Sequence, residues 1–191
     1  SGYLPKINGT YTIGNSLVYD NGTNVGIGTA TPSDPQGFGG ALDIQNAGYG
    51  GVIYLRKSSA TTTYGFFGYD QTALAATIAA YGASTKLQFN AGTGAIKMTL
   101  DTSGNLGLGV TPSAWGSSYK VFDISGGASI AGLSNGTFIT SNAYDNGTNW
   151  IYKATSYATL NLAINGEHRW YNAPSGTAGA AITFTQAMTL T

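Results

Sequence analysis

Hydrophobic and polar residues alternate along this chain in short runs. The clearest are Ser16-Leu17-Val18-Tyr19, Val52-Ile53-Tyr54-Leu55, Lys86-Leu87-Gln88-Phe89, Thr137-Phe138-Ile139-Thr140, Trp150-Ile151-Tyr152-Lys153, Arg169-Trp170-Tyr171 and Ala181-Ile182-Thr183-Phe184-Thr185. A period of two puts alternate side chains on opposite faces, so each run predicts a half-buried strand. Capping boxes and apolar stripes at i, i+3, i+4 are missing almost everywhere. Residues 71–81 hold enough alanine for a helix. The Thr77-Ile78 pair and Gly82 fit a strand equally, and the strand is the expectation in this β neighbourhood. Asn-Gly stands at 8–9, 21–22, 135–136, 146–147 and 165–166. Both residues tolerate positive φ, so Asn-Gly between apolar runs predicts hairpins. One pentapeptide, Asp-Asn-Gly-Thr-Asn, occupies both 20–24 and 145–149 and is read as a hairpin loop twice.

The pattern also repeats at long range. Asn24-Val25-Gly26-Ile27-Gly28-Thr29-Ala30-Thr31-Pro32-Ser33 returns 81 residues later as Asn105-Leu106-Gly107-Leu108-Gly109-Val110-Thr111-Pro112-Ser113. Leu42-Asp43-Ile44 answers Phe122-Asp123-Ile124, and Ala95-Ile96-Lys97-Met98-Thr99-Leu100 answers Ala187-Met188-Thr189-Leu190. Each copy of such a repeat is one structural unit. The organisation expected is therefore residues 1–19 as a leading strand or linker from a preceding element, 20–100 as β unit one and 101–191 as β unit two. Ser1-Gly2 reads as a tag remnant, and the whole as a fragment of a longer protein. In each Gly-x-Gly core, alternation sets the apolar residues on one face and the glycines on the other. A glycine face is useful where another backbone lies against it, and a symmetry mate at a crowded axis is one candidate. Two small β units bury little core per chain, which favours association.

Composition narrows the function. Only 8% of residues are charged and formal net charge is zero, which removes the basic footprint of a nucleic-acid binder. At 42% hydrophobic and 12% aromatic, the chain is not disordered by charge. No apolar run approaches the ~20 residues of a membrane span. Cysteine is absent, so neither a disulfide nor a thiolate metal site is expected.

Candidate chemistry is sparse. Glycoside hydrolysis needs two carboxyls about 5–10 Å apart. Of the acids, Asp20/Asp101 and Asp43/Asp123 are repeat-equivalent and read as turn residues. Asp34, Asp70, Asp145 and Glu167 share no motif. No catalytic residue is assigned. Asp-Asn-Gly-Thr-Asn lacks the further acids of a calcium loop, Gly26-Ile27-Gly28 lacks the third glycine and helix of a dinucleotide fingerprint, and the Asn-Gly-Thr triplets read as turns rather than glycosylation sites. No cofactor and no metal are expected. His168 is the single histidine. The aromatics are the remaining signal: Trp150 and Tyr152 share one strand face, while His168, Trp170 and Asn172 share another. Aromatic rings beside amides and hydroxyls suit sugars, so these five are the candidate ligand-binding residues. The competing reading is that they fill the small core of unit two.

Several stretches resemble repeats of bacteriophage tail fibres, and of trimeric surface fibres of some bacteria. They are Tyr3-Leu4-Pro5-Lys6, residues 14–29 with their Gly26-Ile27-Gly28-Thr29 core, Met98-Thr99-Leu100-Asp101-Thr102-Ser103-Gly104-Asn105-Leu106-Gly107-Leu108-Gly109, residues 110–116 and residues 171–179. The resemblance covers most of the chain. It implies an all-β, elongated homotrimeric β-fibre built from two repeated β-units with short strands and Gly/Asn turns. It also implies attachment to a host or prey cell-surface receptor, commonly a glycan, and a location on a virion tail or a bacterial cell surface. Such fibres are often followed by an intramolecular chaperone that cleaves itself off; no segment here matches one. The alternatives are a tailspike-type glycan hydrolase and a purely structural spacer.

Overall fold

A computed structural model describes the chain except for residues 1, 8–12, 36, 38, 46–50, 57–63, 71–74 and 93. The described residues are all-β, with no helix. They divide into two compact units, Ser1–Gly82 and Ala83–Thr191.

The first unit holds two sheets. Strands β1 (Tyr3–Ile7), β2 (Ile13–Asp20), β3 (Val25–Ile27) and β4 (Leu42–Ile44) pair in that order, and β5 (Val52–Arg56), β6 (Tyr64–Asp70) and β7 (Ala75–Tyr81) form an antiparallel meander. Most of the segment read as ambiguous between helix and strand is thus strand β7; its first four residues and the Asn-Gly at 8–9 lie outside the described residues.

The second unit is built on one nine-stranded sheet. Its strands are β8 (Leu87–Ala91), β9 (Ala95–Leu100), β10 (Leu106–Leu108), β11 (Lys120–Ile124), β12 (Ala128–Leu133) and β13 (Gly136–Ser141), then, beyond the small hairpin β14 (Ala143–Asp145)–β15 (Trp150–Tyr152), β16 (Ser156–Ile164), β17 (Glu167–Gly176) and β18 (Thr185–Leu190). Neighbours run β18-β17-β16-β13-β12-β11-β10-β9-β8, all antiparallel except the pair β10–β11.

The repeated sequence has a repeated structure. In each unit a Gly-x-Gly strand (β3 or β10) crosses over to a parallel partner (β4 or β11). The same polar clasps hold both crossovers. Asn24 Oδ1 accepts the Ala41 amide at 2.8 Å, and Asn105 Oδ1 accepts the Val121 amide at 3.2 Å. Asp43 Oδ2 accepts the Ser33 amide at 3.0 Å, and Asp123 Oδ2 the Ser113 amide at 2.8 Å. The glycine face is covered by this crossover. A Cβ on Gly26 would lie 2.6 Å from the Thr29 carbonyl oxygen; one on Gly107 would strike the Val110 carbonyl and lie 2.9 Å from Pro112 Cδ. The second glycine of each pair takes the left-handed region, φ 80° at Gly28 and 68° at Gly109, where the strand breaks into the loop. This corrects the expectation of a symmetry mate against the glycines: the close backbone belongs to the same chain.

Turn chemistry follows the sequence in three places and departs in one. Asn165-Gly166, with φ 54° and 83°, is a two-residue loop between Ile164 and Glu167. The two Asp-Asn-Gly-Thr-Asn loops share the same turn bonds: Asn21 Oδ1 accepts the Thr23 and Asn24 amides, and Asn146 Oδ1 accepts those of Thr148 and Asn149. At 135–136 the loop residues are Ser134 and Asn135, because Gly136 already pairs with Leu133, and neither Asn135 nor Gly136 has positive φ. The run 181–185 is not a regular strand either. Ala181 bridges Ile151, the Ile182 amide donates to the Trp150 carbonyl at 2.7 Å, and regular pairing starts only at Thr185. Its apolar residues alternate because Ile182 and Phe184 dock on the core.

The core lies on one face of the nine-stranded sheet. Val121, Ala131, Phe138 and Leu160 project from it against Trp115 and Tyr119 of the β10–β11 crossover. The β14–β15 hairpin adds Tyr144 and Trp150, with Trp115 and Trp150 edge-to-face at 6.1 Å and Tyr119 and Phe138 at 5.5 Å. Such aromatic pairs contribute ~1 kcal/mol each beyond their burial.

Candidate functional site

The five candidate residues do not form one site. Trp150 and Tyr152 sit on β15 and face inward. Trp150 packs against Trp115, Phe138 and Phe184. Tyr152 is 5% exposed, and its hydroxyl donates to the Pro174 carbonyl at 2.6 Å. His168, Trp170 and Asn172 sit on the opposite, outer face of the sheet. The His168 and Trp170 rings stack at 6.3 Å, tilted 27°, beside a shallow depression of about 200 Å³ that also touches Thr137, Ile139 and Asn161.

Exposed apolar residues run along that outer face, interspersed with polar ones such as Thr137 and Asn161. Register places Phe89, Leu100 and Leu108 at one end and Met188 and Leu190 at the other, with Ile130 and Ile139 directly paired between them; all are exposed. In the first unit, Ile53, Phe67 and Ile78 make a similar exposed row across β5, β6 and β7.

A larger cleft, about 690 Å³, opens at the end of the second unit's sheet around the β11–β12 turn. Its floor carries Asp123 and Lys153. Asp123 is 1% exposed and receives hydrogen bonds from the Ser113 amide, the Ser129 hydroxyl at 2.6 Å and the Lys153 ammonium, with which it forms an ion pair. Lys153 also donates to Ser129 and lies 5.8 Å from the centre of the Trp115 ring. Burial alone would raise the Asp123 carboxyl; the bonds from Lys153, the Ser113 amide and Ser129 outweigh it and hold it below the ordinary carboxylate value. The pair thus presents a neutralised floor.

One wall is Tyr144. The other is the segment 154–157, which Asn142 pins. With φ 58°, Asn142 turns the chain out of β13; its amide group donates to the Ala154 and Tyr157 carbonyls at 2.9 and 3.0 Å, and its oxygen accepts the Ala154 amide at 2.7 Å. Tyr157, 71% exposed, stands on the pinned segment. Asn142, Lys153 and Tyr157 were missed by sequence reasoning. Nothing in their spacing separates them from neighbouring turn and strand residues, since the cleft forms from segments far apart in the chain.

Four of the other carboxylates serve turns, and Glu167 pairs with Arg169 on β17. Asp20, Asp34, Asp101 and Asp145 each accept a backbone amide within their own loop, at 2.6–3.0 Å. Asp145 also accepts a hydrogen bond from the Tyr119 hydroxyl at 3.3 Å. Burial, the Asp145 charge and this bond push the Tyr119 hydroxyl up to about 12. Among the described residues, no three His, Asp or Glu side chains gather closely enough to hold a metal ion.

No family model, curated protein or solved structure matches this chain. Its functional reading therefore rests on its own residues.

Proposed function

We propose that this chain is a segment or the tip of a homotrimeric β-fibre that attaches to a cell-surface receptor, with a glycan as the recognised group. The observation that carries the reading is the outer face of the nine-stranded sheet. A row running from Phe89 through Ile130 and Ile139 to Leu190 stays wet in a single chain. Contiguous exposed apolar surface beyond a few hundred Å² marks an interaction face. A second copy offers the same row, and closed rotational symmetry covers every copy's row at once. The three-fold count follows the resemblance to tail fibres and trimeric bacterial surface fibres, which also supplies the setting, a virion tail or a bacterial surface. His168, Trp170 and Asn172 share the face that assembly would cover, so they belong to the subunit contact in this reading.

The carboxylates favour attachment over hydrolysis. A glycosidase keeps one carboxyl protonated beside a second, whereas Asp123 is held ionised and the Asp20, Asp34, Asp101 and Asp145 side chains are occupied by turn amides. The test is light scattering on the purified chain. A particle of three 19.6 kDa chains is expected, with Ile139→Asp lowering the mass while leaving the inner core intact. A stable monomer at micromolar concentration would refute the assembly. Binding to receptor-bearing cells separates an attachment segment from a plain spacer.

A further inference from the structure

We infer that the cleft at the β11–β12 turn binds an uncharged sugar ring, with Tyr157 as the surface on which the ring stacks. The inference rests on the attachment reading above and gives it a place. Three observations support it. First, a cleft of about 690 Å³ falls within the ~300–1,000 Å³ usual for small-ligand sites. Secondly, its chemistry is mixed in the way a sugar requires. The rings of Tyr144 and Tyr157 offer apolar faces, and the hydroxyls of Ser125 and Ser141 offer hydrogen bonds. Among the described lining residues the ionic groups are Lys153 and Asp123, which neutralise each other, so neither an anionic nor a cationic ligand gains a counter-charge. Thirdly, the wall is set before any ligand arrives. Three hydrogen bonds to Asn142 fix the backbone on both sides of the exposed Tyr157, which lowers the ordering cost of binding. Tyr157, exposed on a pinned segment at the mouth of the cleft, is not part of the buried core.

The experiment compares wild type with Tyr157→Ala and Ala154→Arg. Tyr157 and Ala154 are both exposed, so neither change removes core. Each protein is applied to an array of neutral galactose-, glucose- and N-acetylhexosamine-terminated oligosaccharides beside sialylated and sulfated ones, and its molar mass and Tm are measured in parallel. The expected result is that wild type retains neutral oligosaccharides, that Tyr157→Ala weakens retention at least about ten-fold and Ala154→Arg abolishes it, with mass and Tm unchanged. If both variants bind like wild type, the cleft is not the site, while attachment stands. If Tyr157→Ala loses binding together with assembly, Tyr157 is a subunit contact and the inference falls, with the oligomer reading intact. Retention of charged glycans alone overturns the neutral class. If wild type retains no glycan, the inference falls together with the glycan part of the attachment reading.

Discussion

Asp123 shows how one side chain is used several ways. It closes the crossover through the Ser113 amide, and it holds Lys153 and Ser129 under the cleft. Asp123→Asn leaves the Lys153 ammonium, 13% exposed, without a counter-charge. Breaking a buried pair from one side costs about 3–5 kcal/mol, and urea unfolding should show a loss of that order. Replacing both residues, Asp123→Asn with Lys153→Met, should recover part of it. Because the folded carboxyl is held low, its contribution is full above the ordinary carboxylate value of about 4 and is lost as pH falls through the folded value. Melting temperature against pH should decline on the acid side, and less steeply in the double variant. Tyr119 sets the alkaline side. Its hydroxyl is held neutral up to about 12, whereas the unfolded chain ionises near 10. Its contribution is complete below pH 10 and is lost between 10 and 12. Tyr119→Phe should flatten that slope.

At the scale of elements, the unit that recurs is strand, crossover and parallel strand. Its glycines were legible in sequence as places of close backbone approach, one of the few uses of a Cβ-free face in a strand. Their partner was not legible, since Thr29 and Val110 approach only after the loop folds back over Gly26 and Gly107. Gly107→Val should cost about 1–3 kcal/mol by displacing the crossover that carries Pro112 and Trp115. Gly132→Val is the control: a Cβ there has its nearest neighbour at 3.8 Å. Thermal melts in which the two variants match would place Gly107 outside any tight contact. The hairpins were read through Asn-Gly, correctly at 21–22, 146–147 and 165–166. At 135–136 the strand pairing of Leu133 with Gly136 moved the loop back by one residue.

For the whole molecule, the distribution of apolar residues between the two faces of the second unit's sheet is the dominant fact. Phe138 and Ile139 are adjacent in sequence and equally hydrophobic, yet one is 5% and the other 50% exposed. Alternation assigns them to different faces; it does not say that one face meets Trp115 and the other meets water. Placing aspartate at Ile130 as well as Ile139 should yield a soluble particle of lower mass that keeps the near-UV circular dichroism contributed by the core residues Trp115 and Trp150. Loss of that signal would mean that the outer face supports the fold of the single chain.

The sequence by itself determined the all-β class, most strands, three of the described Asn-Gly turns and the repeated Gly-x-Gly unit, because each depends on residues within a few positions of one another. It also marked Asp20, Asp43, Asp101 and Asp123 as turn and loop residues through their repeat equivalence; Asp20 and Asp101 do accept amides of their own loops, whereas Asp43 and Asp123 stand in strands β4 and β11 and accept amides of the crossover. Tertiary structure alone decided that Trp150 and Tyr152 face the core while His168, Trp170 and Asn172 face outward, since both sets show the same alternation. It alone built the cleft, where Asp123, Asn142, Lys153 and Tyr157 arrive from four different strands or strand ends. A site made of long-range neighbours leaves no local spacing to read, and its chemistry appears only once the sheet has fixed which side chains meet.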